Sequence, residues 1–328
     1  MKICYFINST NEIEFAKKLK ETLKEKNIYL TLVFFDSESK NIIIKDDIYY
    51  ISNFTIKEAS KLFSSFKFNI IQVSIFSPLY FFALKLSRKN KTIFLVDCND
   101  FSANFYFPQA IKKSSTILSY TYYQTMLTFV DNLLVSSIVG KRRIEDMGLN
   151  KTIYILSPCF DYFYLNKKTS DTSFRTKKDN KDVILMDTSL FNSEEIIDFI
   201  NEIDKLDFLT PCLIIDSSTT DFASIYSVDQ KNIFSSKDFN RSLIYRNATY
   251  LYSHQGKVDD FDLLLANKMN LPVISNFDEL ISKKIIDKKQ IINENKLFVS
   301  NEFTFQKYVD KLMEVYSSLA RRNYWNTN

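Results

Sequence analysis

The chain has 328 residues, and 45% of them are hydrophobic. A chain of this length exceeds the size at which a single core usually stops growing, so it predicts two globular domains. Its net charge is only +4, and its three glycines allow neither a P-loop nor a G-x-G-x-x-G dinucleotide fingerprint. A single histidine and four widely spaced cysteines provide no zinc ligand set and do not favour thiol catalysis.

Three βαβ steps are predicted in the first half of the chain. Apolar runs at residues 2–7 and 29–35 flank a segment with helical periodicity. The same alternation continues with strands at 68–74, 91–96, 129–135 and 152–156, and helices at 78–85 and 139–147. Alternating strands and helices predict a parallel, doubly wound sheet.

A second alternating series follows a charged, hydroxyl-rich segment at 166–181, which we interpret as a linker. Strands are predicted at 183–186, 212–215 and 250–253, a short element at 233–234, and helices at 194–206 and 239–246. The domains are therefore expected at 1–165 and 182–302, each Rossmann-like, with an amphipathic helix within 303–328. The fold class is α/β, with two doubly wound parallel sheets that face a cleft.

Ligands of such sheets bind outside the carboxyl ends of the strands, so two facing sheets place both edges on one cleft. The loops expected to line the cleft follow Ile7, Val73, Val96, Met186, Ile215 and Ser253.

The most informative segment is Tyr250-Leu-Tyr-Ser-His-Gln-Gly256, followed by a helix that begins near Asp259 and by Leu271-Pro-Val-Ile-Ser275. It resembles the donor-sugar region of the family 4 glycosyltransferases of GT-B architecture. In that family a Ser-rich strand end leads to a Glu-Gly-Phe-Gly loop, a helix with a second Glu, and a Gly-x-Pro-Val-Ile strand. Counted back from Pro272, the two family glutamates fall at Lys257 and Leu265.

Four further stretches resemble that family in the same order: residues 69–74, 94–100, 130–137 with Lys141, and 156–161. The resemblance implies a GT-B protein with the acceptor beside the first domain and the nucleotide-sugar in the second. It also implies that the C-terminal helix crosses back to the first domain.

The departures from the family fall on chemical residues. Strand-end positions where the family has histidines are Gln72, Ser74 and Asn99, and residues 186–193 replace a Gly-Arg turn with its nearby Lys. Lys237 or Arg241 could replace the missing phosphate ligand, and Asp259 or Asp260 the missing glutamate. The alternative interpretation is that Lys237 and Arg241 lie on a solvated helix face and that Asp259 and Asp260 cap the start of a helix.

The resemblance implies a role for each candidate residue from the position that it matches in the family. The donor-binding candidates are Thr188, Ser189, Lys237, His254, Gln255, Gly256, Asp259 and Asp260. Gln72 and Asn99 lie on the acceptor side, and Asp100 is the candidate catalytic base. The implied reaction is metal-independent, retaining hexosyl transfer to a glycan, lipid-linked or protein acceptor in polysaccharide biosynthesis or glycoprotein assembly.

A second hypothesis comes from the missing chemical residues. The chain would then be a catalytically inactive GT-B protein that acts as chaperone or partner subunit of an active glycosyltransferase. A GT-B-related epimerase or phosphorylase is favoured by no residue, and no motif supports nucleic-acid binding.

Two basic clusters lie in the first half, at Lys85–Lys91 and at Lys141–Arg143. Such clusters are either a solvated face or a contact for an anionic membrane or a phosphate-bearing acceptor. No apolar run approaches the roughly 18 residues of a spanning helix, and the cysteines sit in apolar runs as buried free thiols do. We therefore expect a cytoplasmic protein, either free or peripheral to the inner face of the membrane.

Overall fold

The computed structural model describes residues 1–98, 124–159, 181–215, 219–226, 232–235, 244–245, 247–253, 258–275, 277, 293 and 298–327. These residues form two separate sheets with helices on both faces of each. The predicted α/β class with two doubly wound parallel sheets is confirmed. The predicted linker lies outside the described residues except for Lys181.

The first sheet has eight strands in the order β3-β4-β2-β1-β5-β6-β7-β8. Only β3 and β4 are antiparallel neighbours. The strands are β1 Lys2–Ile7, β2 Tyr29–Phe35, β3 Ile43–Lys45, β4 Ile48–Ile51, β5 Ile70–Ser74, β6 Ile93–Asp97, β7 Asn132–Val135 and β8 Thr152–Ile155.

Helices cover both faces of this sheet. The connecting helices are α1 Ile13–Glu25, α2 Ile56–Ser64, α3 Tyr80–Asn90 and α4 Ile138–Asp146. One buried cluster joins α2, α3 and α4 to alternate strand residues such as Phe6 and Val73. The other cluster joins α1 to the opposite strand residues, such as Tyr5 and Ile7.

The second sheet has five parallel strands in the order β11-β10-β9-β12-β13. They are β9 Asp182–Asp187, β10 Leu209–Ile215, β11 Ile233–Ser235, β12 Tyr250–Tyr252 and β13 Val273–Ile274. The helices of this half are α5 Ser193–Asp204, α6 Thr219–Tyr226 and α7 Asp260–Lys268. Asn192 and Glu195 form a reciprocal capping box at the start of α5.

The last helix, α8 Phe305–Thr327, belongs to the core of the first sheet although it follows the second sheet in sequence. Its buried stripe packs against α1 and the adjoining strands; the stripe consists of Phe305, Tyr308, Val309, Leu312, Val315, Tyr316 and Leu319. These positions recur at the spacing of one helix face, which is why the sequence predicts an amphipathic helix here.

Candidate functional site

Each sheet has one topological switch point, where successive connections leave in opposite directions. In the first sheet it lies between β1 and β5, and in the second between β9 and β12. Loops diverge at such points and leave a crevice beyond the carboxyl ends of the strands. The donor-binding candidates Thr188, Ser189, Asp259 and Asp260 follow β9 or β12 and so border the second crevice.

A tight polar turn follows β9. The Asp187 carboxylate accepts hydrogen bonds from the Ser189 backbone N–H at 3.0 Å and from the Ser189 hydroxyl. The Thr188 hydroxyl donates to the carbonyl oxygen of Ile214 at 3.0 Å. Both candidate hydroxyls therefore hold the short 3-10 turn Thr188–Leu190 in place in this structure.

A guanidinium from the first sheet's helix layer reaches this turn. Arg142 Nη1, on α4, donates to the carbonyl oxygen of Ser189 at 3.4 Å, and the Arg142 side chain is exposed. The sequence shows Arg142 only as part of a basic cluster, because no local motif connects α4 to a turn 47 residues later. The structure thus brings a cation to the turn after β9.

The ends of β8 and β12 meet at the start of α7. The Ser157 hydroxyl, just after β8, donates to the Asp260 carboxylate in the first turn of α7. Asp259 holds the N-cap position without a side-chain cap bond. Its side chain is only 3% exposed, so it lies beneath the surface, whereas Asp260 faces an open cavity.

That cavity, of about 390 Å³, lies between the two sheets and α8. Ser157, Ser253 and Asp260 line it from the strand ends, and Lys307 and Lys311 line it from α8. Its size falls within the range of about 300 to 1,000 Å³ that is usual for small-molecule sites. Lys307 pairs with Glu302 at 3.1 Å, and both side chains are about half exposed, so the pair is open to exchange with a ligand.

The inner side of the second crevice is acidic and almost closed. Asp187, Asp259 and Asp262 are buried and line a narrow space of about 10 Å³ beside Val139 of α4. Within the described part of the chain, no group of three or more His, Cys, Asp or Glu residues is arranged to hold a metal ion. This space is too small for a sugar or a nucleotide.

Tyr252 ends β12 beside the same crevice. Its ring stacks on Phe277, with centroids 5.0 Å apart. Burial, followed by the nearby charges of Glu195, Asp198 and Glu202, raises the Tyr252 pKa to about 12. The phenol therefore stays protonated near neutral pH and contributes no anion to the crevice.

Gln72 occupies a covered position at the first switch point. It lies on β5 opposite Tyr5 of β1 and is only 1% exposed. Its Oε1 accepts a hydrogen bond from the Tyr316 hydroxyl of α8 at 2.6 Å. In this structure Gln72 therefore links the first sheet to α8.

The remaining candidates lie outside the described residues: Asn99, Asp100, Lys237, His254, Gln255 and Gly256. Leu265, the position of the family's second glutamate, is fully buried in the core between α7 and the second sheet. A carboxylate at this position would be removed from water at a large cost in free energy.

The sequence matches no protein-family model and no curated protein sequence. Its whole length aligns with solved structures at low identity. A UDP-GlcNAc 2-epimerase of Methanocaldococcus jannaschii in complex with UDP-GlcNAc and UDP is 13% identical, with a TM-score of 0.42, over 97% of this chain and 100% of that one.

Two further structures align to a similar extent. A UDP-GlcNAc 2-epimerase of Neisseria meningitidis bound to UDP-GlcNAc is 11% identical, with a TM-score of 0.42, over 97% of this chain and 100% of that one. A UDP-L-rhamnose complex of an Arabidopsis thaliana protein is 10% identical, with a TM-score of 0.39, over 97% and 99%.

Proposed function

We propose that the chain binds a nucleotide-sugar in the cavity between the two sheets, beside the carboxyl end of β12, and transfers its sugar to an acceptor beside the first sheet. The observation that carries this proposal is the cavity between the two sheets, into which Asp260, Ser253 and two lysines of α8 project. The resemblance of the strand, loop and helix around Tyr250–Ala266 to the donor region of family 4 glycosyltransferases supports it independently.

The charge of a leaving diphosphate would be balanced by cations from outside the second sheet. Arg142 lies at the Ser189 turn, and Lys307 and Lys311 lie across the cavity. Anionic leaving groups need such donors, and the loss of one preorganised donor typically costs about 10² to 10³ in rate. In this proposal the three cations replace the arginine and lysine that the family places in its second domain, without a metal ion.

Asp260 is the proposed ligand for sugar or ribose hydroxyls, because it faces the cavity whereas Asp259 is buried beneath it. The bond from Ser157 to Asp260 would hold the two sheets together around the ligand. His254, Gln255 and Gly256 follow β12 and would complete the donor side. Asn99 and Asp100 follow β6 and would face the acceptor, with Asp100 as base; Gln72 would support them from within the sheet.

Nucleotide binding can be tested by thermal shift with UDP, GDP, CMP and their sugar conjugates. A ligand at 100 times its dissociation constant stabilises the folded protein by about 2.7 kcal/mol, which a melting curve detects readily. We expect one nucleotide to give a shift that Arg142→Ala and Lys311→Ala each reduce. The matched control is Arg321→Ala, which removes an exposed arginine near the end of α8 and should bind the nucleotide as the wild type does.

The inactive partner subunit remains the second candidate, since the donor half is acidic where the family binds phosphate. Asp187 ends β9, and Glu194 and Glu195 begin α5, where their charges repel an anion at the helix N-terminus. This hypothesis predicts no thermal shift with any nucleotide. It also predicts that an active transferase, identified by its own turnover, regains stability or rate when this chain is added.

A further inference from the structure

The net positive charge of the chain comes from one segment of the first half, residues 56–91. Of the 43 Lys and Arg residues in the chain, seven lie between residues 56 and 91, together with one of the 39 acidic residues, Glu58. The rest of the chain therefore holds 36 basic and 38 acidic residues. Residues 56–91 include α2 and α3, which are neighbours on the same face of the first sheet.

These seven cations are exposed. They lie on α2, on α3 or in the turns that follow these helices, and within the described residues none of them takes part in an ion pair. By contrast, Lys17 and Lys20 of α1, on the opposite face of the sheet, pair with Asp46 and Asp47 at 3.2 Å.

Three exposed phenylalanines adjoin this charge. Phe54, 76% exposed, comes two residues before α2, and Phe81, 57% exposed, is the second residue of α3. Phe129, 50% exposed, lies beneath the Arg88 guanidinium, whose carbon is 5.3 Å from the ring centroid. Phe81 and Arg88 share one stripe of α3 with Lys85, since they lie four and three residues from it. A solvated helix face explains the lysines, and the exposed rings beside them add an apolar component to the same surface.

We propose that the outer surface of α2 and α3, together with Phe54 and Phe129, docks on a membrane rich in anionic lipids. The α2–α3 surface has both features that hold proteins at such a membrane. Cations near an anionic leaflet are attracted to the lipid phosphates, and apolar rings enter the boundary between headgroups and acyl chains. Among the described residues, no helix is long and apolar enough to cross the bilayer, so the contact is peripheral.

A lipid surface fits these residues better than a nucleic acid does. Six of the seven cations are lysines, which act as point charges, and only Arg88 offers a planar fork. Phe81 lies in the first turn of α3, and Phe129 lies beneath Arg88 near the end of the same helix, so aromatic rings accompany the cations along its length.

The orientation of the two helices places the membrane near the cleft. Both α2 and α3 follow parallel strands of the first sheet and therefore begin at its carboxyl edge, the edge that borders the cleft. Docking through Phe54 and Phe81 would bring this edge close to the lipid headgroups. Delivery of a lipid-linked acceptor follows only if the proposed transfer reaction holds, whereas membrane docking does not depend on it.

The test is co-sedimentation of the full chain with vesicles of phosphatidylcholine, with and without phosphatidylglycerol. We expect binding to the anionic vesicles alone, weakened by salt. Lys85→Gln combined with Arg88→Gln should weaken binding about thirtyfold, because the variant loses two cations and each cation near an anionic leaflet contributes a factor of about five. The matched control is Lys24→Gln in the last turn of α1 with Lys26→Gln just after that helix, which gives the same net charge and should change binding less than about twofold.

Phe81→Ala separates lipid docking from general attraction to polyanions. Loss of ring insertion should weaken vesicle binding about tenfold, whereas Ile225→Ala, at a 71% exposed position on α6, should have no effect. Circular dichroism would show that each variant is folded. Equal binding to neutral vesicles, or equal weakening by the α1 control, overturns the proposal. The proposal is also overturned if Phe81→Ala leaves vesicle binding unchanged and transfer RNA displaces the vesicles, because the surface would then be a general polyanion site.

Discussion

Replacing Tyr316 by phenylalanine tests whether α8 is anchored to the first sheet through Gln72. The Tyr316 hydroxyl donates to Gln72 Oε1 at 2.6 Å, and the two residues are 0% and 1% exposed. The variant keeps the aromatic ring but leaves the buried amide oxygen without this donor. An unsatisfied buried polar group costs about 1 to 3 kcal/mol, and we expect Tyr316→Phe to lower the free energy of unfolding by that amount.

The partner substitution completes a double-mutant cycle. Gln72→Leu should cost a similar amount, because it leaves the Tyr316 hydroxyl buried without its acceptor. The double variant should cost less than the sum of the two by about 1 to 2 kcal/mol, since removing both partners leaves neither unsatisfied. Urea unfolding followed by fluorescence measures this, because the only tryptophan, Trp325, lies on α8. Additive effects, or a change below about 0.5 kcal/mol for Tyr316→Phe, would refute the anchoring bond.

Four further outcomes are expected. Burial raises the pKa of Cys4 and Cys212, and all four thiols are at most 3% exposed, so a thiol reagent should modify none of them until the protein unfolds in urea. Burial also raises the pKa of Tyr5, Tyr308 and Tyr316, so these phenols lose their protons at lower pH in the unfolded chain than in the folded one. The free energy of unfolding should therefore be undiminished below about pH 10 and fall as the pH rises above it. Tyr316→Phe should make this fall less steep by about 1.4 kcal/mol per pH unit, as measured by urea titrations at several pH values. Leu265→Glu, which introduces a carboxylate into the core between α7 and the second sheet, should prevent stable folding as seen by circular dichroism, whereas Leu265→Met should be tolerated. Asn192→Ala should lower the free energy of unfolding by about 1 kcal/mol through loss of the capping box, and an unchanged urea midpoint would contradict this.

The regular strands and helices were predictable because their apolar residues recur with a clear strand or helix spacing. The strand at 2–7, the helix beginning at Ile13 and the strand at 29–35 match the apolar pattern, and so does α8. The β3–β4 hairpin and α2 were not predicted. The turn of the hairpin is formed by Asp46 and Asp47 at φ of 51° and 62°, where glycine or asparagine is the usual signal.

The scarcity of glycine predicts that Asn and Asp adopt positive φ, and this is largely confirmed. Within the described residues, Asn27, Asp46, Asp47 and Asn270 do so. Two lysines, at 67 and 91, do so as well, which no local pattern indicates. At the end of α3 the chain must turn at Lys91 to enter β6, so the fold imposes this conformation against the preference of the side chain.

The site was predictable only where strand ends determine it. The loop after β9 and the start of α7 could be placed beside each other from the βαβ pattern alone. The cations could not, because Arg142, Lys307 and Lys311 reach the cleft from helices that belong to the first sheet's layers. Likewise, Gln72 and Tyr316 are 244 residues apart, and neither sequence neighbourhood indicates the other.

The proposed binding site is tested most directly by hydrogen–deuterium exchange of the full chain with and without a saturating nucleotide-sugar. The account predicts slower exchange at three separate places: the Thr188–Leu190 turn, the first turn of α7, and the segment of α8 around Lys307 and Lys311. Protection confined to other regions, or exchange unchanged by every nucleotide-sugar at millimolar concentration, would contradict a nucleotide-sugar site between the two sheets.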